Sequence, residues 1–199
     1  MLAQDGIAHV GVTTVDVLAD ARAELFRRRS EGLHGEMEFT YRDPERSTDP
    51  LRAVAGARSV IVAAKPYLTD SDPPRPGAAA GPHARVGRYA WVDHYAPLRV
   101  ALRDVAKRIR RADHRAVAFA DDNSIVDRAV AHRAGLGWYG KNANLLLPGA
   151  GSWFVLGSII TTAEYEPTPG PAPDGCGSCV RCIDACPTGA IVAPGVIDA

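Results

Sequence analysis

The stretch ARSVIVAA, residues 57–64, contains consecutive valine and isoleucine residues followed by two alanines. A short run of β-branched and small apolar residues is typical of a strand buried in a protein core. Two other short apolar stretches, Gly6–Val15 and Ala116–Phe119, predict further strands before and after it in the chain. Together these stretches predict a sheet at the centre of the domain.

Three segments have the apolar spacing of amphipathic helices: Val17–Arg29, Tyr95–Ala112 and Ser124–Ala134. The first is predicted to be capped by Thr14 or Asp16, because a short oxygen-bearing side chain accepts hydrogen bonds from the free N–H groups of a helix start. The alternation of strands and helices predicts an α/β domain with a central sheet, and α+β is the alternative.

The remaining segments are predicted as short strands or loops. Asn144–Leu147 and Trp153–Ile160 are expected to form a strand pair around the turn Pro148–Gly151. Asp43–Pro50 is polar and bounded by proline, and Ser71–Gly87 contains four prolines and three glycines. We therefore expect the last of these segments to be a long surface loop.

The composition is that of a globular protein without a dominant charge. Apolar residues make up 46% and charged residues 23% of the 199 positions, and the formal net charge is zero. This balance argues against a global basic field for nucleic acid. We expect no membrane span, because no apolar stretch reaches 18 residues, and we expect no signal peptide. The four cysteines all lie within residues 176–186, which indicates reduced thiolates in the cytoplasm rather than dispersed disulfides.

The cysteines are spaced Cys176-x2-Cys179-x2-Cys182-x3-Cys186 and are followed by Pro187. This is the run of bacterial ferredoxins, in which three thiolates hold one 4Fe–4S cluster and the fourth binds a second cluster. The alternative is a zinc site, which typically uses two separated cysteine pairs or adds histidines. No second pair and no nearby histidine accompanies this run, so the four cysteines are predicted as metal ligands for two 4Fe–4S clusters.

A proline-rich segment, Pro167–Pro173, precedes the cysteine run and is predicted to be a linker. We therefore divide the chain into a larger domain, residues 1–172, and the start of a ferredoxin-like module, residues 173–199. Because the spacing directs Cys186 towards a second cluster, we expect another cysteine run in a longer protein. Clusters of this kind usually carry electrons, so the larger domain is expected to receive them.

The segment DDNSIVDRAVAHRAGLGWYGKNANLLL, residues 121–147, holds further candidate site residues. Three glycines in its loop Gly135–Asn142 indicate close backbone approach or positive φ angles, although a simple turn between helix and sheet is the alternative. The loop does not match a Walker A phosphate loop, because Asn142 stands where serine or threonine would follow the lysine. Asp121 is a candidate general acid, and the alternative is that Asp121 or Asp122 caps the following helix.

Several other elements of the chain match the same known family as this segment. They are Gly35-Glu36-Met37, Arg46 with Asp49-Pro50, Ser59-Val60-Ile61, Tyr89-Ala90, Asp93-His94-Tyr95, Gly151-Ser152-Trp153-Phe154 and the cysteine run through Ile191. With these elements, the chain resembles the epoxyqueuosine reductases over nearly its whole length. It departs from the family where an Asp-Thr/Ser-Gly-Pro element reads Asp-Asp-Asn-Ser and where an Asp-Tyr-His order reads Asp-His-Tyr.

The resemblance implies an oxidoreductase whose domain, residues 1–172, binds cobalamin and whose ferredoxin-like module carries two 4Fe–4S clusters. The implied reaction is the reduction of epoxyqueuosine to queuosine at the wobble position of tRNA, the last step of queuosine biosynthesis. Electrons would pass from the clusters to cobalamin. We expect a cytoplasmic monomer that takes its electrons from an external donor.

The resemblance also implies roles for single residues. Asp121 matches the family's proposed general acid. Opening an epoxide to an alkene expels an oxygen that must be protonated, and a carboxyl group in an apolar pocket can hold its proton near neutral pH. The predicted cobalamin contacts are Arg46, Tyr89, Asp121, Lys141, Asn142, Asn144 and Leu145.

Two other functions remain open at this point. A corrinoid reductive dehalogenase pairs the same two cofactors, but the twin-arginine signal usual in that class is not seen in the sequence. A non-catalytic electron carrier would place a ferredoxin-like module on an inert scaffold. Cobalamin binding by the complete protein would separate the carrier from both enzymes.

Overall fold

The computed structural model describes residues 6–68 and 86–199. Its strands and helices follow the chain in this order: β1 (His9–Thr13), α1 (Ala19–Ser30), α2 (Pro44–Ser47), α3 (Pro50–Ala53), β2 (Ser59–Pro66), α4 (Tyr95–Arg111), β3 (Ala116–Phe119), α5 (Asp127–Arg133), β4 (Trp138–Tyr139), β5 (Leu145–Leu146), β6 (Phe154–Thr161), α6 (Arg181–Asp184), β7 (Ile191–Ala193) and β8 (Val196–Ile197). The central sheet has the order β1-β2-β6-β3, and all its pairs are antiparallel. The predicted central sheet is confirmed, with the strand directions of the α+β alternative.

Helices cover both faces of this sheet. On one face, α4 packs the buried Leu98 and Leu102 into a cluster with Ile159 of β6. On the other face, α5 contributes Val130 to a cluster with Val60 of β2. Successive strand residues point to opposite faces, so β2 is buried on both sides, as its apolar run predicted.

The predicted cap of the first helix is wrong. α1 begins at Ala19, and no side chain caps it. The Thr14 hydroxyl instead donates to the Asp16 carboxylate (2.7 Å), and the Arg133 guanidinium donates to the backbone carbonyls of both residues. The two candidate caps therefore bind each other and hold the end of β1 against α5.

The segment Asp43–Pro50, predicted only as polar, forms α2 and the start of α3. Each helix begins with an Asp-Pro pair, and the proline occupies the first helical turn. The carboxylates of Asp43 and Asp49 each accept a hydrogen bond from a backbone N–H two or three residues later, both at 3.0 Å. An aspartate cap followed by proline is a strong helix start, so the sequence contained this signal.

The predicted pairing of Asn144–Leu147 with Trp153–Ile160 is wrong. β5 pairs with β4 in a two-stranded hairpin, whereas β6 lies between β2 and β3 in the central sheet. The predicted turn is closed only by an isolated bridge between Leu147 and Gly151. β6 is buried over seven of its eight residues, which explains its central position.

Three predictions concern the surface of the molecule. The predicted loop Ser71–Gly87 lies, except for its last two residues, outside the described residues.

The predicted linker Pro167–Pro173 is attached to the sheet, because Thr168 exchanges hydrogen bonds with Val12 and so covers the free edge of β1. None of the helices within residues 6–68 and 86–199 is long and apolar enough to cross a membrane.

Candidate functional site

The loop between β3 and α5 carries the predicted acid. Asp121 is exposed two residues beyond β3, and its φ of 56° lies in the left-handed region, where aspartate and asparagine are enriched among non-glycine residues. Strained backbone of this kind is concentrated at functional sites. The Asp122 carboxylate accepts a hydrogen bond from the Ser124 N–H (2.7 Å) and holds the turn. Neither aspartate caps α5, because that helix begins at Asp127, three residues later than predicted.

Asp127 is an acid that the sequence did not single out. The residue as a whole is half-buried, but its carboxyl oxygen Oδ1 is buried and has no hydrogen-bond partner among the described residues. Burial, reinforced by the negative charges of Asp122 and Asp121, raises the pKa of Asp127 to about 8. The carboxyl group is therefore mostly protonated at neutral pH. No sequence signal revealed it, because an acid in the first turn of a helix is ordinarily exposed and favoured by the helix dipole.

Tyr95 interacts electrostatically with acids of this segment and with a second tyrosine, Tyr67. Burial, followed by the charges of Asp121 and Asp127, raises the pKa of Tyr95 to about 12. The pKa of Tyr67 is also raised, first by burial and then by the nearby Tyr89. Tyr89, a predicted cobalamin contact, is 61% exposed, so its ring is available to a ligand on this side of the molecule.

The hairpin loop between β4 and β5 holds further predicted cobalamin contacts. Asn142 accepts a hydrogen bond from the Asn144 N–H (3.1 Å), and Asn144 accepts one from the Gly140 N–H (2.8 Å). Both asparagines are half-buried. Leu145 is only 2% exposed and packs in the core, so contact with a ligand would be through its backbone. The role of all three in binding cobalamin stays a prediction.

The start of α5 joins the segments that carry the predicted site residues. Nη1 of Arg128 donates to the Ala143 carbonyl in the hairpin loop (3.0 Å). The Val126 N–H donates to the Ser47 carbonyl (2.8 Å), at the end of α2, beside the exposed Arg46. The loop after β3, the helix α2 and the hairpin loop therefore meet at one place.

Lys141 connects the hairpin to the cysteine run. Its Nζ donates to the carbonyl of Gly177 (2.8 Å), which lies between the first two cysteines. Its own carbonyl accepts a hydrogen bond from the Gly195 N–H (2.9 Å). Gly175 also packs against this hairpin, since a Cβ there would lie 2.6 Å from the Trp138 ring. The hairpin thus contacts the start of α5 through Arg128 and the cysteine run through Lys141.

The four cysteines are all free thiols. Cys179 is exposed, and the other three are half-buried. The Cys179 N–H donates to the Cys176 carbonyl (2.9 Å), which makes the tight turn expected of the first ligand loop. At Cys186, hydrogen bonds from the backbone of Ile191 and from Thr188 lower the thiol pKa and favour the thiolate, the form that binds metal.

The cysteines do not yet form a closed ligand set. Within residues 6–68 and 86–199, no three histidine, cysteine or acidic side chains converge closely enough to hold a metal ion. Ligand groups in small metal sites are commonly drawn together by the metal itself. Free thiols at ferredoxin spacing have the donor chemistry that clusters require, so the assignment of the four ligands stays a prediction.

Replacing Lys141 with methionine is expected to loosen the cysteine run. Methionine keeps an unbranched apolar stem but removes the ammonium that binds Gly177, a contact of about 1 kcal/mol. Hydrogen exchange at residues 176–179, followed by mass spectrometry, should therefore accelerate by roughly fivefold. The matched control is Lys107→Met, because Lys107 pairs with Asp104 within α4. Equal protection in both variants would contradict a tethering role.

Comparison with known proteins supports the resemblance inferred from the motifs. The family model described as "Epoxyqueuosine reductase QueG, DUF1730" matches residues 47–122. The epoxyqueuosine reductase of Gloeobacter violaceus is 41% identical over 198 residues, which cover 98% of this chain and 60% of that protein. The chain is a relative of the epoxyqueuosine reductases. The similarity extends over nearly all of its residues, so the resemblance is confirmed.

Solved structures of epoxyqueuosine reductases share this fold. The Streptococcus thermophilus enzyme superposes with a TM-score of 0.87 at 30% identity, and the match covers 100% of this chain and 54% of that one. Another, solved with an epoxyqueuosine-modified tRNA stem loop, has a TM-score of 0.83 at 31% identity, covering 98% and 52%. The chain therefore spans about half the length of these epoxyqueuosine reductases. A catabolic reductive dehalogenase, at 16% identity and a TM-score of 0.55, shares the fold alone.

Proposed function

We propose that this chain forms the catalytic and cofactor-binding part of an epoxyqueuosine reductase, which reduces epoxyqueuosine to queuosine in tRNA. One arrangement carries the proposal: the hairpin loop lies between the start of α5, which follows the loop of Asp121, and the cysteine run. Hydrogen bonds of Arg128 and Lys141 join the hairpin loop to both. A relative of about 31% identity has been solved with an epoxyqueuosine-modified tRNA stem loop. We propose that an epoxyqueuosine-modified tRNA is also the partner of this chain.

The residues fit the two kinds of cofactor that the proposal requires. Cys176, Cys179, Cys182 and Cys186 would hold iron–sulfur clusters, and the lowered pKa of Cys186 favours the ligating thiolate. The half-buried hairpin loop, with Arg46 and Tyr89, would bind a cobalamin, because backbone amides and asparagine side chains can hydrogen-bond the amide groups at the rim of the corrin. When bound, these cofactors supply the electrons for the reduction.

The role of the protein in the chemistry is to supply protons and to hold the substrate. Asp121 would protonate the epoxide oxygen as it leaves, which is the task of a positioned general acid. Its exposure at the end of β3 makes the carboxyl group accessible to a nucleotide entering from solvent. We also propose that the complete protein is a cytoplasmic monomer, that it uses an external electron donor, and that the chain divides at residues 172 and 173 into a cobalamin domain and a cluster module.

The full-length protein is expected to bind cobalamin and to convert epoxyqueuosine to queuosine in a modified tRNA stem loop. Cobalamin binding is measured by visible absorption, and conversion by mass spectrometry of nucleosides after reduction with a chemical reductant. A protein that binds cobalamin but acts only on halogenated aromatic compounds would favour the dehalogenase. A protein that carries clusters but binds no cobalamin would favour the electron carrier. Either result would overturn the proposed function.

A further inference from the structure

A cavity opens between α4 and the end of β3, next to the loop of Asp121. Its volume is about 180 Å³. Residues 118–120 line it from β3 and the start of the loop, and Arg99 and Arg103 line it from α4. Because β3 is the outermost strand of the central sheet, the cavity lies at the sheet edge. Among the described residues that line it, none is a predicted cobalamin contact.

The two arginines of this cavity differ in their partners. Arg99 is half-buried, and its Nη2 donates to the Asp93 carboxylate (2.8 Å), while its Cζ lies 6.0 Å from the centre of the Tyr95 ring. Arg103 is exposed, and in the described part of the chain it has neither an ion pair nor a hydrogen bond. One guanidinium is therefore held in place, and a second, one helical turn away, keeps its N–H donors for a ligand.

The chemistry of the cavity fits a phosphate group. A guanidinium presents its N–H donors in a planar fork that matches phosphate oxygens, and two arginines at (i, i+4) can bind one phosphate together. Asp122 also borders the cavity, but its carboxylate accepts the Ser124 N–H (2.7 Å) and takes no part in anion binding. Both acids near the arginines, Asp93 and Asp122, therefore already have partners.

The helix α4 adds positive charge around the cavity. It contains six basic residues and one acid, which are Arg99, Arg103, Lys107, Arg108, Arg110 and Arg111, and Asp104. Its apolar residues are buried against the sheet, so the basic side chains lie on the other side of the helix. Because the formal net charge of the chain is zero, this helix is a local concentration of positive charge. Such a surface attracts the phosphates of a nucleic acid.

We propose that the cavity of Arg99 and Arg103 binds a phosphate of the tRNA strand beside epoxyqueuosine. This inference rests on the proposed function, in which the modified nucleotide reaches Asp121. Asp121 directly follows the segment 118–120 that lines the cavity, so a bound phosphate holds the strand next to the acid. Contacts to phosphate fix the register of a nucleic acid without reading its sequence. The cavity therefore positions the nucleotide on which Asp121 acts.

The test measures binding of an epoxyqueuosine-modified tRNA stem loop to the full-length holoenzyme, by fluorescence anisotropy at several salt concentrations. Arg103→Gln removes the charge but keeps a polar side chain, and we expect the Kd to rise about tenfold. The slope of log Kd against log salt concentration should fall by about 0.7, the value for one phosphate contact in a single strand. Arg103→Lys keeps the charge but loses the fork, so it should retain the parent salt slope with a smaller rise in Kd.

The matched control is Arg111→Gln, which changes an exposed arginine of the same helix about 12 Å further along. It should change the Kd by less than about twofold, because charges separated by more than about 8 Å are largely screened at physiological ionic strength. With saturating stem loop, Arg103→Gln should convert epoxyqueuosine at close to the parent rate. Its effect on the reaction should therefore be a raised KM and an unchanged kcat.

The outcomes separate this inference from the proposed function. Equal Kd values for Arg103→Gln and Arg111→Gln, with normal conversion by the parent, would overturn the phosphate site alone. Loss of bound cobalamin from Arg103→Gln, seen in visible absorption, would assign the cavity to the phosphate of that cofactor and overturn the tRNA contact. A parent that binds the stem loop through Arg103 without converting it would support the phosphate site and overturn the proposed function. A parent that does not bind the stem loop would overturn both.

Discussion

Asp121→Asn is expected to lower the turnover of epoxyqueuosine in tRNA by roughly 10²–10⁴-fold, the usual contribution of a positioned proton transfer. Asparagine keeps the size of the side chain and most of its hydrogen bonding, but it cannot deliver a proton. It also tolerates the positive φ of 56° at this position, whereas alanine would add backbone strain there. The loss would therefore report chemistry and not a distorted loop.

The measurement uses the complete enzyme with a chemical reductant and counts queuosine formed in the tRNA. Cobalamin binding and iron content should stay near the parent values, because asparagine keeps the size and most of the hydrogen bonding of the Asp121 side chain. The control is Asp122→Asn, whose side-chain oxygen can still accept the Ser124 N–H, so it should cost about 1 kcal/mol of stability or less and leave turnover unchanged. A normal rate in Asp121→Asn with a dead Asp122→Asn would identify the other carboxylate as the acid.

The central sheet was predictable because each strand is indicated by a local run of apolar residues. The valine–isoleucine run of β2 indicates burial without reference to any partner. The pairing partner of a strand depends on the tertiary fold, and the predicted pairing of Asn144–Leu147 with Trp153–Ile160 was therefore wrong. β5 pairs over only two residues, whereas β6 pairs with β2 over eight residues, of which seven are buried. Two apolar stretches around a glycine turn resemble a hairpin even when one of them has a better partner elsewhere.

The candidate site was predictable in part, and for a similar reason. The four cysteines were predicted as ligands from their spacing, which is a local property. The Asp-Pro starts of α2 and α3 are also local, and they were available in the sequence but not used. The environment of Asp127 depends on how α5 packs beside the loop of Asp121, which no pattern within the helix records. The same holds for Lys141, whose ammonium reaches Gly177 across 36 positions of sequence.

Cys179→Ala in the full-length protein is expected to remove one 4Fe–4S cluster and to leave the other in place. A cubane that lacks one of its protein thiolates is labile, so iron and sulfide should fall to about half of the parent content. The visible spectrum of bound cobalamin should persist, because the cysteine run contacts the hairpin through Lys141 and Gly175, neither of which changes. Iron is measured by chelation assay, and the remaining cluster by electron paramagnetic resonance after reduction.

Among the four predicted ligands, Cys179 is the best residue to substitute because its side chain is exposed. Its replacement by alanine therefore opens no cavity in the packed part of the cysteine run. The hydrogen bond from its backbone N–H to the Cys176 carbonyl survives the substitution, and the loop keeps its turn. Ser178→Ala, at the exposed neighbouring position, is the matched control and should retain full iron. Unchanged iron per protein in Cys179→Ala would remove this residue from the ligand set. Zinc in place of iron in the parent protein would instead show that the ferredoxin spacing serves a structural metal site.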